Sequence, residues 1–402
     1  MIVCNPVSDK LRVSSLWNLV PSSVLGFEAA LLVVLLLLLE ARGSLGVAVH
    51  GAGSTQVLMV GLFLIVASHL AWLISSLARR TVTSGAQETT WPFFVLPLIL
   101  YLVILPWSTT RRGLDGDEPH YLLITHSLAY DFDVELTNND EQQDSLRFLD
   151  RALEPSWADP VRADGRKFSR HSPGLPLLLA PGYRLAGKWG ALATMALLTA
   201  LATWLAYGLA RRYWPEHQRE VVWSWALLSL TPPLLLYSHQ IWVEVPAMVL
   251  LLIALDQILS LQEQTANPRR RWLILIGVLL LLPVLKLRLI LLTGPLLILA
   301  WWRSGRSRRV LVGGGLGFAL LTGGLLTVNH LTTGKWLRDH SIDQIVEIQA
   351  RHPLEYLMGA AGLFWDCAFG LFGANPGWLL CIPALLLVFW QRKPIALDLA
   401  LL

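Results

Sequence analysis

Three carboxylates fall within four positions of the sequence, Asp115, Asp117 and Glu118, and Pro119, His120 and Tyr121 follow them directly. A carboxylate held at a partly desolvated boundary, with its pKa tuned by neighbours, can take the proton of a substrate hydroxyl. Proline favours the first turn of a helix, so the spacing predicts a helix that begins here. Asp117 and Glu118 would stand at its start, held by backbone donors, with His120 and Tyr121 on its first turn. The same residues fit a plain helix cap with a solvated acidic cluster, and the motif alone leaves both open.

Other residues with chemical potential lie far away in sequence. Ser169, Arg170, His171, Ser172 and Pro173 lead into an apolar piece from Leu175 to Leu185, where His171 could touch a phosphate or serve as an ordinary interfacial histidine. Glu244 sits just inside an apolar run, in Trp242-Val243-Glu244-Val245-Pro246. Ionisable groups at such depth usually serve function, with interfacial anchoring as the competing view. Lys286 and Arg288 interrupt a further apolar run just after Pro283. Arginine suits phosphate through its planar fork and lysine as a compact point charge, so a pair of cations kept there points to an anionic ligand. Snorkelling to lipid headgroups is the alternative. Asp366 stands among aromatics in Gly362 to Phe372, ahead of Asn375 and Pro376, as on a lipid- or sugar-facing surface or in an aromatic belt.

Two patterns carry less. Asp131, Asp133, Glu135, Asn138, Asn139 and Asp140 form an oxygen-rich run. It lacks the glycine and the spacing of a calcium loop and reads as a hydrated turn. Gly313, Gly314, Gly315 and Gly317 are not followed by Lys-Ser or Lys-Thr, so they suit close packing of helices and not a phosphate loop. Cys4, Cys367 and Cys381 are too scattered for a disulfide framework or a zinc spacing.

The elements that must position these residues are apolar spans. Of 402 residues, 54% are hydrophobic and 15% charged, and the mean hydropathy is +0.53, which excludes a soluble domain. About 20 apolar residues cross a bilayer core. Such runs occur near 22–39, 57–77, 91–107, 190–210, 221–239, 242–260, 310–329 and 375–390, and Trp272 to Trp302 reads as two short spans meeting in a tight hairpin. The fold expected is therefore an all-α polytopic transmembrane helix bundle of about ten spans, with a long outer loop containing interfacial helices. The run at 22–39 reads as a retained anchor, not a cleaved signal peptide.

Basic residues in short loops stay in the cytoplasm. They cluster at Lys10 and Arg12, Arg79 and Arg80, Arg211 and Arg212, Arg269 to Arg271, Arg303 to Arg309, and Arg392 to Lys393. The proposed spans place an even number of crossings between consecutive clusters. This puts residues 108–189, the turns near Glu244 and Lys286, and the loop from His330 to about Ala374 together on the outer face. The formal charge is only +4 and the basic residues are dispersed, so no nucleic-acid partner is expected. The organisation expected is a two-span extension over 1–90, a main module over 91–390 that includes the outer loop 108–189, and, over 391–402, the start of a C-terminal region that is cut short.

Taken together, these motifs resemble the polytopic glycosyltransferases of the GT-C superfamily, in particular the bacterial relatives of protein O-mannosyltransferases and of the lipid A aminoarabinose transferase. Gly116-Asp117-Glu118-Pro119-His120-Tyr121 looks like their acidic motif of the first outer loop. His171-Ser172-Pro173-Gly174-Leu175-Pro176 looks like the segment that leads out of it, and Glu244-Val245-Pro246 and Phe364 to Pro376 look like later motifs. The resemblance covers about residues 91–390 and implies a sugar transfer with inversion. The donor would be a polyprenyl-phosphate-linked sugar, the acceptor a lipid, glycan or protein hydroxyl, and the place the outer face of a bacterial-type inner membrane. On that reading Asp117 is the base, and Glu118 positions the acceptor or holds a cation. Lys286, Arg288 and His171 bind the donor phosphate, and His120, Tyr121, Glu244 and Asp366 bind substrate. The resemblance assigns no cofactor and leaves a divalent cation open. Two spans precede the family pattern, and the usual C-terminal part is absent or shortened. A transporter or flippase, and a non-catalytic lipid-binding relative, are the rival readings. Transporters place ionisable residues near mid-membrane, whereas here 13 of the 28 acidic residues lie between Arg111 and Arg170.

Overall fold

The structure, a computed structural model, describes residues 90–154, 164–262, 268–305, 308–334, 336, 353–366 and 370–390. The chain divides into two compact units, Met1–Arg80 and Thr81–Leu402. The spans expected at 22–39 and 57–77, the basic clusters at Lys10, Arg12, Arg79, Arg80 and Arg392–Lys393, and the tail from 391 lie outside the described residues.

The described part is helical, apart from one isolated antiparallel bridge between Glu135 and Phe168. Helix α1 (Pro92–Arg112) starts with proline in its first turn, where the missing N–H costs nothing. It ends at Gly113, whose φ of 73° breaks the helix, with Arg111 and Arg112 at the negative end of the helix dipole. Helix α2 (Glu118–Tyr130) begins where the sequence predicted, with Pro119 in its first turn. After the short α3 (Thr137–Glu141) and a single 3-10 turn (Asp144–Arg147) comes α4 (Gly174–Tyr213).

Helix α4 is broken at Ala186 (φ −145°, ψ 26°) and Gly187 (φ 56°, ψ −142°). The chain folds back there, because a Cβ built on Gly190 would lie 1.8 Å from the Gly182 carbonyl oxygen. Residues eight apart in a straight helix are about 12 Å apart along the axis, so this contact requires a sharp elbow. The separation expected between the apolar piece Leu175–Leu185 and a span from Gly190 is thus present as two helical arms. Beyond it lie α5 (Gln218–Leu230), α6 (Leu234–Tyr237) and α7 (Glu244–Leu259). The run at 221–239 is split by Thr231-Pro232-Pro233, and its open backbone is met from the C-terminal end of the chain. Asn375 donates to Thr231 Oγ1 (2.7 Å) and to the Pro232 carbonyl (3.2 Å), and the Trp378 indole donates to the same carbonyl (2.9 Å).

The hairpin expected between Trp272 and Trp302 is formed by α8 (Pro268–Leu285) and α9 (Ile290–Arg303). Lys286 leaves the helix in extended conformation, and one 3-10 turn (Leu287–Leu289) leads on. Helix α10 (Arg308–Thr333), α11 (Pro353–Trp365), α12 (Leu371–Ala374) and α13 (Cys381–Trp390) complete the described chain. Among the described residues three helices are long and apolar enough to cross a membrane, namely α1, α4 and α10 over Val312–Leu331. The remaining apolar helices are shorter.

The main core gathers Leu122 and Ile124 of α2, Leu175, Leu179 and Leu192 of α4, Ile258 of α7, Leu282 of α8 and Leu296 of α9. A second cluster joins Tyr101 of α1 to Ala196 and Ala200 of α4. Small residues at that seam allow close approach, and the Tyr101 hydroxyl donates to the Ser229 carbonyl at 2.7 Å. At the far end of α4, Arg212 pairs with Asp256 (3.0 Å) and Ser260 (2.6 Å), fixing α4 to α7.

Candidate functional site

Adjacent residues at the start of α2 meet opposite surroundings. Glu118 is fully buried. Arg112 Nη2 donates to both of its oxygens (2.8 and 2.6 Å), the Asp115 N–H donates to Oε2 (3.0 Å) and the Ile241 N–H to Oε1 (2.7 Å). A buried carboxylate needs such donors, and here they come from α1, the turn before α2 and the segment before α7. Both Glu118 oxygens are thus engaged by protein donors in the interior. The corresponding arrangement at Asp117 is open. Its side chain is about one-third exposed and lies 3.7 Å from His171 Nδ1 and 3.8 Å from Lys286 Nζ.

Asp117, Tyr121, Arg170, His171, Lys286 and Arg288 all line one cavity of about 260 Å³. Its remaining wall is largely apolar and includes Phe168, Val284, Leu325 and Val328. The elements converge because α4 begins against the hairpin. A Cβ on Gly174 would lie 2.4 Å from the Val284 carbonyl oxygen and 2.8 Å from Leu285 Cα. Only glycine lets the segment holding His171 pack so close to the turn holding Lys286 and Arg288.

Charge in the cavity is graded. Burial pushes the His171 imidazole down to about 4, against the opposing pull of Asp117, so at neutral pH the ring offers a hydrogen bond and not a positive charge. Burial also lowers Lys286, as does neighbouring Arg288, while Asp117 and Glu244 act in the other direction. Arg288 Nη2 pairs with Glu244 Oε1 at 3.0 Å. The second Glu244 oxygen is buried without a hydrogen-bond partner among the described residues. Glu244 thus orients the arginine from behind instead of lining the cavity. The His120 ring stacks on His171 (centroids 5.1 Å apart, 17° between planes), and the Tyr121 ring lies 5.3 Å from His171.

Asp366 does not join this group. It follows the last turn of α11, where its N–H donates to the Gly362 carbonyl (3.0 Å) and its carbonyl accepts from the Gly370 N–H (2.9 Å), and it is not among the cavity-lining residues. Cys367 lies outside the described residues. Sequence reasoning missed Arg170 and Asn329 as lining residues. Arg170 was legible as the neighbour of His171, but Asn329 carries no signal within the apolar run of α10.

The oxygen-rich run is occupied by protein donors. Asp131 accepts from Asn138 (3.1 Å) and Asn139 (2.8 Å), Asp133 from Ser127 (2.9 Å), and Glu135 from the Thr137 N–H (2.9 Å). Among the described residues no three His, Cys, Asp or Glu side chains are grouped so as to hold a metal ion. The run instead braces the loop beside α2, together with a buried chain. There His126 Nδ1 is 3.2 Å from the Tyr183 hydroxyl, His126 Nε2 is 3.5 Å from Asp144, and Asp144 accepts from Arg147 at 2.8 Å.

The arrangement can hold an anion beside an ionisable carboxylate, with an apolar wall alongside. No protein-family model matches the chain, and no curated protein matches it. The fold is similar to the crystal structure of ArnT from Cupriavidus metallidurans bound to undecaprenyl phosphate, with a TM-score of 0.46 and 18% sequence identity. The similarity covers 78% of this chain and 54% of that one, so the chain spans about half the length of the protein it resembles.

Proposed function

We propose that the chain is a membrane glycosyltransferase that moves a sugar from a polyprenyl-phosphate-linked donor to an acceptor hydroxyl, with inversion, on the outer face of a bacterial-type inner membrane. One observation carries this reading: a single cavity brings the Asp117 carboxylate to 3.8 Å from Lys286 and within the same walls as Arg288 and an apolar surface. A lipid-linked phosphosugar has those three parts, an anion, a reacting carbon beside it and a hydrocarbon tail.

In this mechanism Asp117 takes the acceptor's proton as the oxygen attacks the anomeric carbon, and the carbon–phosphate-oxygen bond breaks on the opposite side. Lys286 and Arg288 stabilise the departing phosphate. Fixed charges count most where water is excluded and no reorganisation is needed. His171, neutral, lines the cavity 3.7 Å from Asp117, and Tyr121 packs against its ring. His120 and Glu244 act through His171 and Arg288. Glu118 is a positioning residue whose hydrogen bonds fix the start of α2, and hence the direction in which Asp117 points. The resemblance that suggested substrate contact for Asp366 finds no support in its position outside the cavity.

The test uses the full chain in lipid nanodiscs with a panel of polyprenyl-phosphate-linked sugars, followed by product analysis. Transfer from one of them is expected, and Asp117→Asn should lower the rate by about 10²–10⁴-fold, the usual worth of general-base catalysis, with the helix content and melting temperature unchanged. Full turnover by the folded variant would remove Asp117 from the chemistry. Absence of transfer or donor hydrolysis by the unmodified chain across the panel would remove the enzymatic reading.

A further inference from the structure

Helix α4 folds back between Gly182 and Gly190, and the residues on that elbow are not those of a water-facing turn. Leu185 is 87% exposed, and Trp189 beside it is open as well. The arm that leads to the elbow is apolar on both faces. Leu175, Leu179 and Tyr183 are buried, while Leu177 and Leu178 are exposed. A helix apolar all round is covered on every side. From Gly174 to Leu185 this arm is only about 18 Å long, too short to cross a bilayer core of about 30 Å.

The second arm supplies a ruler. From Lys188 to Arg211 it rises about 34 Å, slightly more than the thickness of the core. With Arg211 and Arg212 among the headgroups at one end, Lys188 is among the headgroups at the other. Trp189 and Trp214 stand at the same two levels, where indole rings collect. The end of α2 adjoins the elbow. Arg184 Nη1 donates to the Ala129 carbonyl at 3.1 Å, and the guanidinium lies 4.4 Å from the centre of the Tyr130 ring. Two residues on, Phe132 holds a φ of 63°, with its N–H bonded to the Ser127 carbonyl at 3.0 Å. Glycine is the usual resident of such a left-handed position after a helix. A phenylalanine there, 83% exposed, suits acyl chains and not water.

The elbow is also positively charged. Helix α4 contains no acidic residue, and Arg184 and Lys188 fall on the elbow itself. The acids that follow α2 are engaged elsewhere: Asp131 accepts from Asn138 and Asn139, and Asp133 from Ser127. A guanidinium has five donors, so the bond to Ala129 orients Arg184 and leaves others for an anion. Lys188 Nζ lies 5.7 Å from the centre of the Trp189 ring, which holds a second cation at the same level.

We infer that the elbow of α4 binds the phosphate of an anionic phospholipid through Arg184 and Lys188, with Leu185, Trp189 and Phe132 against the upper carbons of its chains. Charge selects this occupant over a zwitterionic lipid, whose ammonium group would be brought up to the same two cations. Neither cation lines the cavity of Asp117. The inference requires only that the chain spans a bilayer, not that it transfers a sugar.

The test reads lipid at the elbow. Cys4, Cys367 and Cys381 are replaced by serine in the full chain, and Leu185→Cys is labelled with bimane. The protein is placed in phosphatidylcholine nanodiscs that contain an equal, small fraction of either phosphatidylglycerol or phosphatidylcholine with a nitroxide near the top of one chain. Each basic residue at the surface favours an anionic lipid by on the order of fivefold, so contact quenching should be at least about threefold stronger with phosphatidylglycerol. Arg184→Gln combined with Lys188→Gln should bring the two lipids level, with helix content unchanged, whereas Arg184→Lys, which keeps the charge, should keep most of the preference. Equal quenching by the two lipids without these substitutions overturns the choice of an anionic headgroup. A preference that survives the double substitution overturns the role of the two cations. No quenching by either lipid overturns the seating of the elbow in the bilayer. Sugar transfer by the same chain is read separately, so none of these outcomes is confused with a failure of the proposed function.

Discussion

Asp117 and Glu118 are neighbours of the same chemical type with separate fates, and the helix start explains why. Consecutive side chains at the beginning of a helix point about 100° apart, so when one faces the interior the next faces the cavity. Glu118 is enclosed by Arg112, Asp115 and Ile241, and Asp117 is left beside His171 and Lys286. The sequence showed three acids and a proline but not which acid turns inward, because that depends on Arg112 and Ile241, donors brought in by other elements. His171 offers a measurable consequence. Burial lowers its folded pKa to about 4 from the ordinary 6.5. Above pH 6.5 neither state binds the proton, so stability there is independent of this residue. As pH falls from 6.5 to 4 the unfolded chain takes up the proton while the folded chain does not, and stability is lost. Burial lowers His120 and His126 in the same direction. The melting temperature of the purified protein should therefore drop between pH 6.5 and pH 4, with His171 contributing on the order of 2–3 kcal/mol at the acid end. His171→Asn should flatten part of that slope, and a slope identical in the variant would mean that the ring titrates normally.

At the scale of elements, the site depends on two breaks in helical runs, and both were legible to different degrees. The proline, lysine and arginine within Trp272 to Trp302 predicted the hairpin, and α8 and α9 form it with Lys286 at the turn. The elbow in α4 was legible only as a proline-containing piece ahead of a span. Its sharpness comes from Gly182 and Gly190 packing backbone to backbone, a tertiary contact that no local pattern encodes. The split at Thr231-Pro232-Pro233 was missed because the run on either side is apolar, and the groups that satisfy it, Asn375 and Trp378, come from more than 140 residues later. Gly174 links these elements to binding. A methyl group there meets the Val284 carbonyl at 2.4 Å. Main chain on both sides cannot yield cheaply, so either α4 or the turn carrying Lys286 and Arg288 must shift. Gly174→Ala should weaken undecaprenyl phosphate binding about tenfold, equivalent to about 1.4 kcal/mol, although every charged residue remains. An equilibrium binding measurement in nanodiscs checks this, and unaltered affinity would show that the cationic turn is placed without the α4 contact.

For the molecule as a whole, apolar length and basic clusters define a sidedness that side-chain geometry cannot supply, since a helix bundle has the same contacts in either orientation. Arg211 and Arg212 lie at one end of α4 and Arg303 at the end of α9, while α2 and the start of α4 border the candidate site. On the proposed reading, positive residues retained in the cytoplasm would put that site on the opposite side, where an outward-facing acceptor would be met. Leu146 is about half exposed, within the 3-10 turn of the loop, and Glu216 is exposed in the turn after α4. In a chain whose three native cysteines are serine, Leu146→Cys should react with an impermeant thiol reagent added to intact cells. Glu216→Cys should react only after the membrane is opened. Both side chains are solvent-facing, so burial cannot imitate the effect of the membrane, and only orientation separates the two rates. The reverse pattern would turn the bundle over, move Asp117 to the cytoplasmic leaflet and require the sugar donor to be presented there. Equal labelling of both positions in intact cells would break the alternation of basic loops from which the sidedness was derived.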